Sequence, residues 1–188
     1  MLARVSSRIR GFTLIEAMVV LVILGVLAAA GMPSFLAMLQ NAQIRTAAEN
    51  IRSGLQAARS EAIRRNALVQ FTLDNPTDTG GTGWTISAPN ALAAEQTIQV
   101  MPSNEGTRNV VLTRMPADAV GTTFDGFGRL ASTAANPLLC VKLTNATVAA
   151  SDMHAFTVAI VSGSEVKLCD PTITDLKDPR TCPLVCQY

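Results

Sequence analysis

The sequence predicts an α+β chain, one long N-terminal helix followed by a β-rich head, and three observations predict it. Residues 17–39 contain no charged side chain. Apolar residues then recur at steps of three and four from Ile44 to Ala62. After Asn66 that period gives way to short runs of β-branched and aromatic residues bounded by Gly, Pro and Asn, the pattern of strands and turns.

The uncharged run comes first. At 1.5 Å per residue its 23 positions make a helix of roughly 35 Å, long enough to cross a bilayer core of about 30 Å. Arg4, Arg8 and Arg10 precede it, so the positive-inside rule keeps residues 1–11 cytoplasmic and sends the rest outward. A cleaved secretory signal has a shorter apolar core and a small-x-small site after it. Neither feature is found here. Glu16 is the anomaly, because a carboxylate inside a hydrocarbon-length helix costs about 2.5–3.5 kcal/mol unless it is paired. Facing the positive end of the helix dipole recovers only about 0.3–1 kcal/mol.

The stretch Gly11-Phe12-Thr13-Leu14-Ile15-Glu16, behind a basic leader and ahead of a long apolar run, resembles the class III signal of the type IV pilin family. The resemblance implies that a prepilin peptidase cuts between Gly11 and Phe12, that Phe12 is then N-methylated, and that Glu16 becomes the fifth residue of the mature chain. It also implies that Glu16 serves assembly by pairing with the terminal ammonium of a neighbouring subunit. Pro33 removes a helix hydrogen bond, and Gly25 and Gly31 weaken the same region, so a kink or local melting is expected there. In the family the corresponding positions are where the helix extends when subunits enter a filament.

Ile44, Ala47, Ala48, Ile51, Leu55, Ala58 and Ala62 form one apolar stripe. Arg45/Glu49 and Glu61/Arg65 stand at i, i+4 spacing off that stripe. One helix from about Leu14 to Arg65 is expected, its first half membrane and assembly surface, its second half the spine of the head.

Strands are expected at 68–73 and 84–87, joined by a turn over 75–83, and at 97–101, 109–114, 138–144, 154–161 and 165–169. Residues 88–94 and 145–152 read as connections, and Trp84 as a core or hairpin residue. Two further stretches resemble the GspH/FimT branch, the H-type minor pseudopilins and their minor-pilin relatives. These are Leu55–Asn66 at the end of the helix and Thr123–Leu130, which carries a Phe-x-x-x-Gly-Arg turn at Phe124, Gly128 and Arg129. Gly126 and Gly128 are expected to take backbone angles closed to other residues, and Arg129 to pair with Asp125 or contact a partner. The resemblance implies a pilin-like lollipop with two small antiparallel sheets on the C-terminal half of the helix. The expected division is a cleaved leader at 1–11, a transmembrane half-helix at 12–39, an amphipathic half-helix at 40–66 and a periplasmic head at 67–188.

Removing the leader's three arginines from the fifteen basic residues leaves twelve against fourteen acids, so nothing marks a basic nucleic-acid-binding domain. Cys140, Cys169, Cys182 and Cys186 all lie in the last third, outside the cytoplasm on the topology above, where an even number reads as disulfides. Of the three possible pairings, Cys169 with Cys182 closes a loop rich in Asp-Pro steps and leaves Cys140 with Cys186. A zinc site from Cys169, Cys182, Cys186 and His154 matches no common structural spacing. His154 reads as a strand-entry residue. A calcium site over 170–178 lacks a dense acidic loop. No cofactor or metal is expected.

There is one histidine, no nucleophile elbow, no phosphate loop and no suitably paired carboxylates, so an enzyme is not expected. The function implied is a noncatalytic minor pilin that helps initiate or cap a type IV pilus, at a bacterial inner membrane and then at the filament tip. Its implied partners are the prepilin peptidase, other minor pilins or pseudopilins, the major subunit and the inner-membrane assembly platform. An H-type pseudopilin of type II secretion is the alternative. A DNA-uptake minor pilin is a further one. There the family's Gly-Arg-x-Arg stretch would fall on Ser164-Glu165-Val166-Lys167, which has lost both arginines and gained an acid.

Overall fold

One helix, α1, runs from Leu14 to Arg65 and is followed by eight strands. The computed structural model describes residues 11–74, 81–89, 95–103, 107–131, 136–161 and 164–187. The basic leader residues and most of the 75–83 turn and the 88–94 connection lie outside the described residues. The chain divides into two compact units, one ending at Leu36 and the other running from Ala37 to Tyr188.

In the first unit the large apolar side chains of α1 are exposed: Leu14, Ile15, Met18 and their successors to Leu36. The helix contains an apolar segment long enough to cross a membrane, and none of that segment is buried within the protein. Gly25, Gly31 and Pro33 all lie within α1.

The second unit starts from the amphipathic half of the helix. Ile44, Ala47, Ala48, Ile51, Leu55, Ala58 and Ala62 are all buried. Small alanines alternating with larger aliphatics let sheets approach closely while still filling space. Each buried Ile or Leu contributes about 1.5–3 kcal/mol relative to exposure. Of the i, i+4 ion pairs, Arg45–Glu49 at 2.9 Å lies on the exposed side, and Arg65–Glu61 at 2.7 Å flanks the stripe, half-sheltered against the head.

The strands are β1 Val69–Leu73, β2 Trp84–Ala88, β3 Gln96–Met101, β4 Val110–Met115, β5 Gly121–Phe124, β6 Cys140–Asn145, β7 Phe156–Val161 and β8 Glu165–Cys169. They form two antiparallel four-stranded sheets, ordered β3-β2-β1-β5 and β4-β6-β7-β8. Alternation sets the inward faces: Val69, Phe71 and Leu73 in β1, Val141 and Leu143 in β6, Val158 and Ile160 in β7. These residues and the helix stripe make one core. The opposite face of the second sheet has its own small core of Cys140, Ala159, Cys169, Cys182 and Cys186. The C-terminal tail, ending in a 3-10 turn at Leu184–Cys186, covers that face.

Three differences from the sequence expectation have local causes. β5 falls where only a turn was expected, because a four-residue strand opening on glycine carries little signal. That glycine is needed, since a Cβ at Gly121 would stand 2.2 Å from the Phe71 carbonyl oxygen. His154 stays outside β7 because its N–H donates to Asn41 Oδ1 on the helix at 3.0 Å. Leu138 and Leu139 precede β6 because their N–H groups donate to Gly121 and Met115 carbonyls, one in each sheet.

At Gly54 the helix packs directly on the first sheet. A Cβ there would lie 2.6 Å from the Trp84 indole and 2.8 Å from the Phe71 ring, two aromatics with centroids 5.7 Å apart and planes tilted by 36°. Gly54→Ala is therefore expected to cost about 1–3 kcal/mol by overpacking, despite alanine's better helix propensity. Urea unfolding of the detergent-solubilised chain, followed by fluorescence of its single tryptophan, measures this. An unchanged or raised midpoint would contradict the packing described.

Candidate functional site

Besides Gly25, Gly31 and Pro33 within α1, three places carry the residues singled out by sequence: the start of α1, its C-terminal end, and the tail.

At the start, Gly11, Phe12 and Thr13 precede the helix, and Phe12 is exposed. Thr13 caps it, its Oγ1 accepting the Glu16 N–H at 3.3 Å while its carbonyl accepts the Ala17 N–H at 3.2 Å. Thr13 and Glu16 thus stand in the Thr-x-x-Glu spacing of a capping box, with the acid in the first turn where the dipole favours negative charge. Glu16 is itself exposed. The cap leaves the peptide bond between Gly11 and Phe12 outside regular structure.

At the other end, α1 stops at a Schellman motif. Asn66 adopts φ 49°, the Ala67 N–H donates to the Ala62 carbonyl, and the Asn66 N–H to that of Ile63. The Phe124–Arg129 turn is docked on this end. Phe124 is fully buried. Asp125 Oδ1 accepts the N–H groups of Phe127 and Arg129, each at 2.9 Å, and the Asp125 N–H returns to the Arg129 carbonyl at 2.8 Å. The Arg59 guanidinium donates to the Gly128 carbonyl at 2.9 Å. Gly128 has φ +72°, as expected of a residue closed to others. Gly126 does not take a positive φ; it is small because a Cβ there would lie 2.6 Å from Asn66 Oδ1. Arg129 pairs with Asp125 at 3.3 Å and lies over the Phe127 ring, 4.9 Å from its centroid.

The backbone N–H of Arg129 is the main cause holding the Asp125 carboxyl below the ordinary range. The Glu61 carboxyl is also depressed, to about 2, first by its hydrogen bonds with Arg64 and Arg65. Those bonds measure 2.5–2.8 Å.

In the tail, disulfides join Cys140 to Cys186 and Cys169 to Cys182. With their sulfurs bonded, these cysteines are not thiolate ligands for zinc. The carboxylates of Asp170, Asp175 and Asp178 are occupied by their own turns, accepting the backbone N–H of Thr172, Lys177 and Arg180. At the position of the DNA-binding stretch, Ser164 and Val166 are buried, and Lys167 Nζ donates to the Thr181 carbonyl.

Residues 47–158 match the family profile described as Type II transport protein GspH. The chain belongs to the GspH family. Residues 6–32 separately match the prokaryotic N-terminal methylation motif. Among solved structures, the type IV minor pilin FimU of Pseudomonas aeruginosa (strain PAO1) is similar with a TM-score of 0.51 at 17% identity, over 66% of this chain and 87% of FimU. At that identity the likeness is one of fold. The minor pseudopilin EpsH from the type 2 secretion system of Vibrio cholerae gives 0.49 at 14% identity, over 70% of this chain and 99% of EpsH. No curated protein matches the chain. The GspH match takes in both α1 from Ala47 onward and the Phe-x-x-x-Gly-Arg turn, which here form one docked unit.

Sequence reasoning placed the helix end at Arg65 and Asn66 but missed the links that make that unit: Arg59 to Gly128, and Ser164 Oγ accepting the Leu130 N–H at 2.8 Å.

Because Glu61's carboxyl is depressed on folding, its contribution to stability is complete above pH 4.5 and lost as pH falls towards about 2. Glu61→Gln should flatten acid destabilisation in that window while changing little at about pH 2 and below. Urea midpoints from pH 2 to 7 measure this, and equal pH slopes for both chains would contradict the role given to Glu61.

Proposed function

We propose that this chain is a noncatalytic minor pilin, processed by a prepilin peptidase, that helps initiate or cap a type IV pilus together with other minor subunits and the major pilin. The observation that carries the reading is a methylation motif over 6–32 on an exposed, membrane-length apolar helix that continues into a GspH head. In the proposed arrangement residues 1–11 are a cytoplasmic leader removed on cutting between Gly11 and Phe12. Residues 12–39 lie in the inner membrane and later in the filament, 40–66 form the head's spine, and 67–188 stand in the periplasm. Phe12 is methylated, and Glu16 meets another subunit's terminal amine. That pairing offsets the cost of placing its carboxylate in hydrocarbon. Gly25, Gly31 and Pro33 allow the helix to extend on assembly. The inner-membrane assembly platform is the site of entry.

The GspH description supports a second reading, an H-type pseudopilin of type II secretion. Both use the same signal, head and assembly step. DNA uptake is less well supported, because Glu165 replaces a phosphate-binding arginine and Lys167 is engaged within the head.

Mass spectrometry of membrane-extracted chain is expected to find a singly methylated N-terminus at Phe12. Glu16→Ala is expected to leave insertion and head folding intact while removing the chain from sheared filaments. An uncut leader in peptidase-competent cells, or normal incorporation of Glu16→Ala, would contradict the proposal. Loss of protein export with piliation spared, on deletion, would move the chain to the secretion reading.

A further inference from the structure

The turn at the end of α1 displays a side chain that its own folding does not use. Phe127 is 75% exposed, whereas Phe124 in the same turn is fully buried. The backbone that carries the ring is fixed from both sides by the Asp125 carboxylate and by Arg59 on the Gly128 carbonyl. A ring presented on an already ordered turn loses little conformational entropy when it is covered.

Charge points to what covers it. The arginine is the outward member of the ion pair here, with Arg129 65% exposed against 25% for Asp125. The face offers an aromatic ring with the Arg129 guanidinium over it, while the compensating Asp125 carboxylate is sheltered. Aromatic residues and arginine are the side chains that dominate binding at protein interfaces. A nucleic-acid backbone fits less well. Ser164, bonded to the Leu130 N–H, brings the exposed Glu165 next to this turn, and a carboxylate there repels phosphate but is tolerated on a mixed protein rim.

We propose that Phe124–Arg129 is a docking knob: Phe127 enters an apolar pocket on another filament subunit, and Arg129 meets a carboxylate on that pocket's rim. The knob rests on the filament-subunit reading and names the surface of the head that it uses.

The test uses the full chain in cells that assemble the filament, with a benzophenone-bearing phenylalanine analogue at position 127. Light is expected to give an adduct with a different subunit that carries its own prepilin-type N-terminus, with Asp or Glu close to the crosslinked residue. The same analogue at Lys177 is expected to give about tenfold less. Phe127→Ser and Arg129→Glu are each expected to lower incorporation about tenfold, with chain level and both disulfides unchanged. Restoration of Arg129→Glu by an acid-to-lysine change at the crosslinked site completes the expected result. Adducts only with nucleic acid, lipid or a second copy of this chain would overturn the knob. So would wild-type incorporation of both variants alongside failure of Glu16→Ala. Wild-type incorporation of Glu16→Ala would overturn the filament reading itself.

Discussion

The burial of one helical stripe, Ile44 to Ala62, under two separate sheets is the constraint on which the rest of the head depends. Inward side chains from both four-stranded sheets join the helix in one core. Isolated helices in water are marginal, and a sheet with a bare apolar face does not persist alone. Helix and sheets therefore stabilise one another. The alanines and Gly54 set how near the sheets come, and Trp84 and Phe71 fill the space that Gly54 leaves.

The same helix has a different task before Leu36, where its large aliphatic side chains are exposed. A chain with so much exposed apolar surface requires a second environment, and the methylation motif over 6–32 indicates its kind. Polar groups mark where the helix enters the head. Asn41 accepts the His154 N–H and donates to the Asp152 carbonyl, and Gln40 accepts the Asn145 side-chain amide at 2.6 Å. At the far end the Schellman stop and the docked turn close the core. The tail then covers the remaining face of the second sheet, with both disulfides holding it there.

Much of this was legible in the sequence because long periodic segments carry strong signals. The uncharged run and the stripe together give α1, and alternation gives seven of the eight strands to within a residue or two. β5 was hidden because its four residues open on a glycine, and that glycine is dictated by contact with Phe71, far away in sequence. The start of β7 was misplaced for a similar reason, Asn41 having drawn the His154 backbone to the helix. At the candidate site the residue types were legible, but their joining was not. Arg59 and Gly128 are 69 positions apart, and no local pattern links them. Phe127 reads as an ordinary apolar residue until its neighbour Phe124 is seen to take the buried place.

The central claim is that the second half of α1 belongs to the head's core and does not fold separately from it. Native-state hydrogen exchange tests this most directly. Amides from Ala47 to Ala62 are expected to exchange only through global unfolding, with the same free energy as those of β1, β6 and β7. If the helix amides instead exchanged at a distinctly lower free energy while the strands stayed protected, helix and sheets would be independent units, and the account would be contradicted.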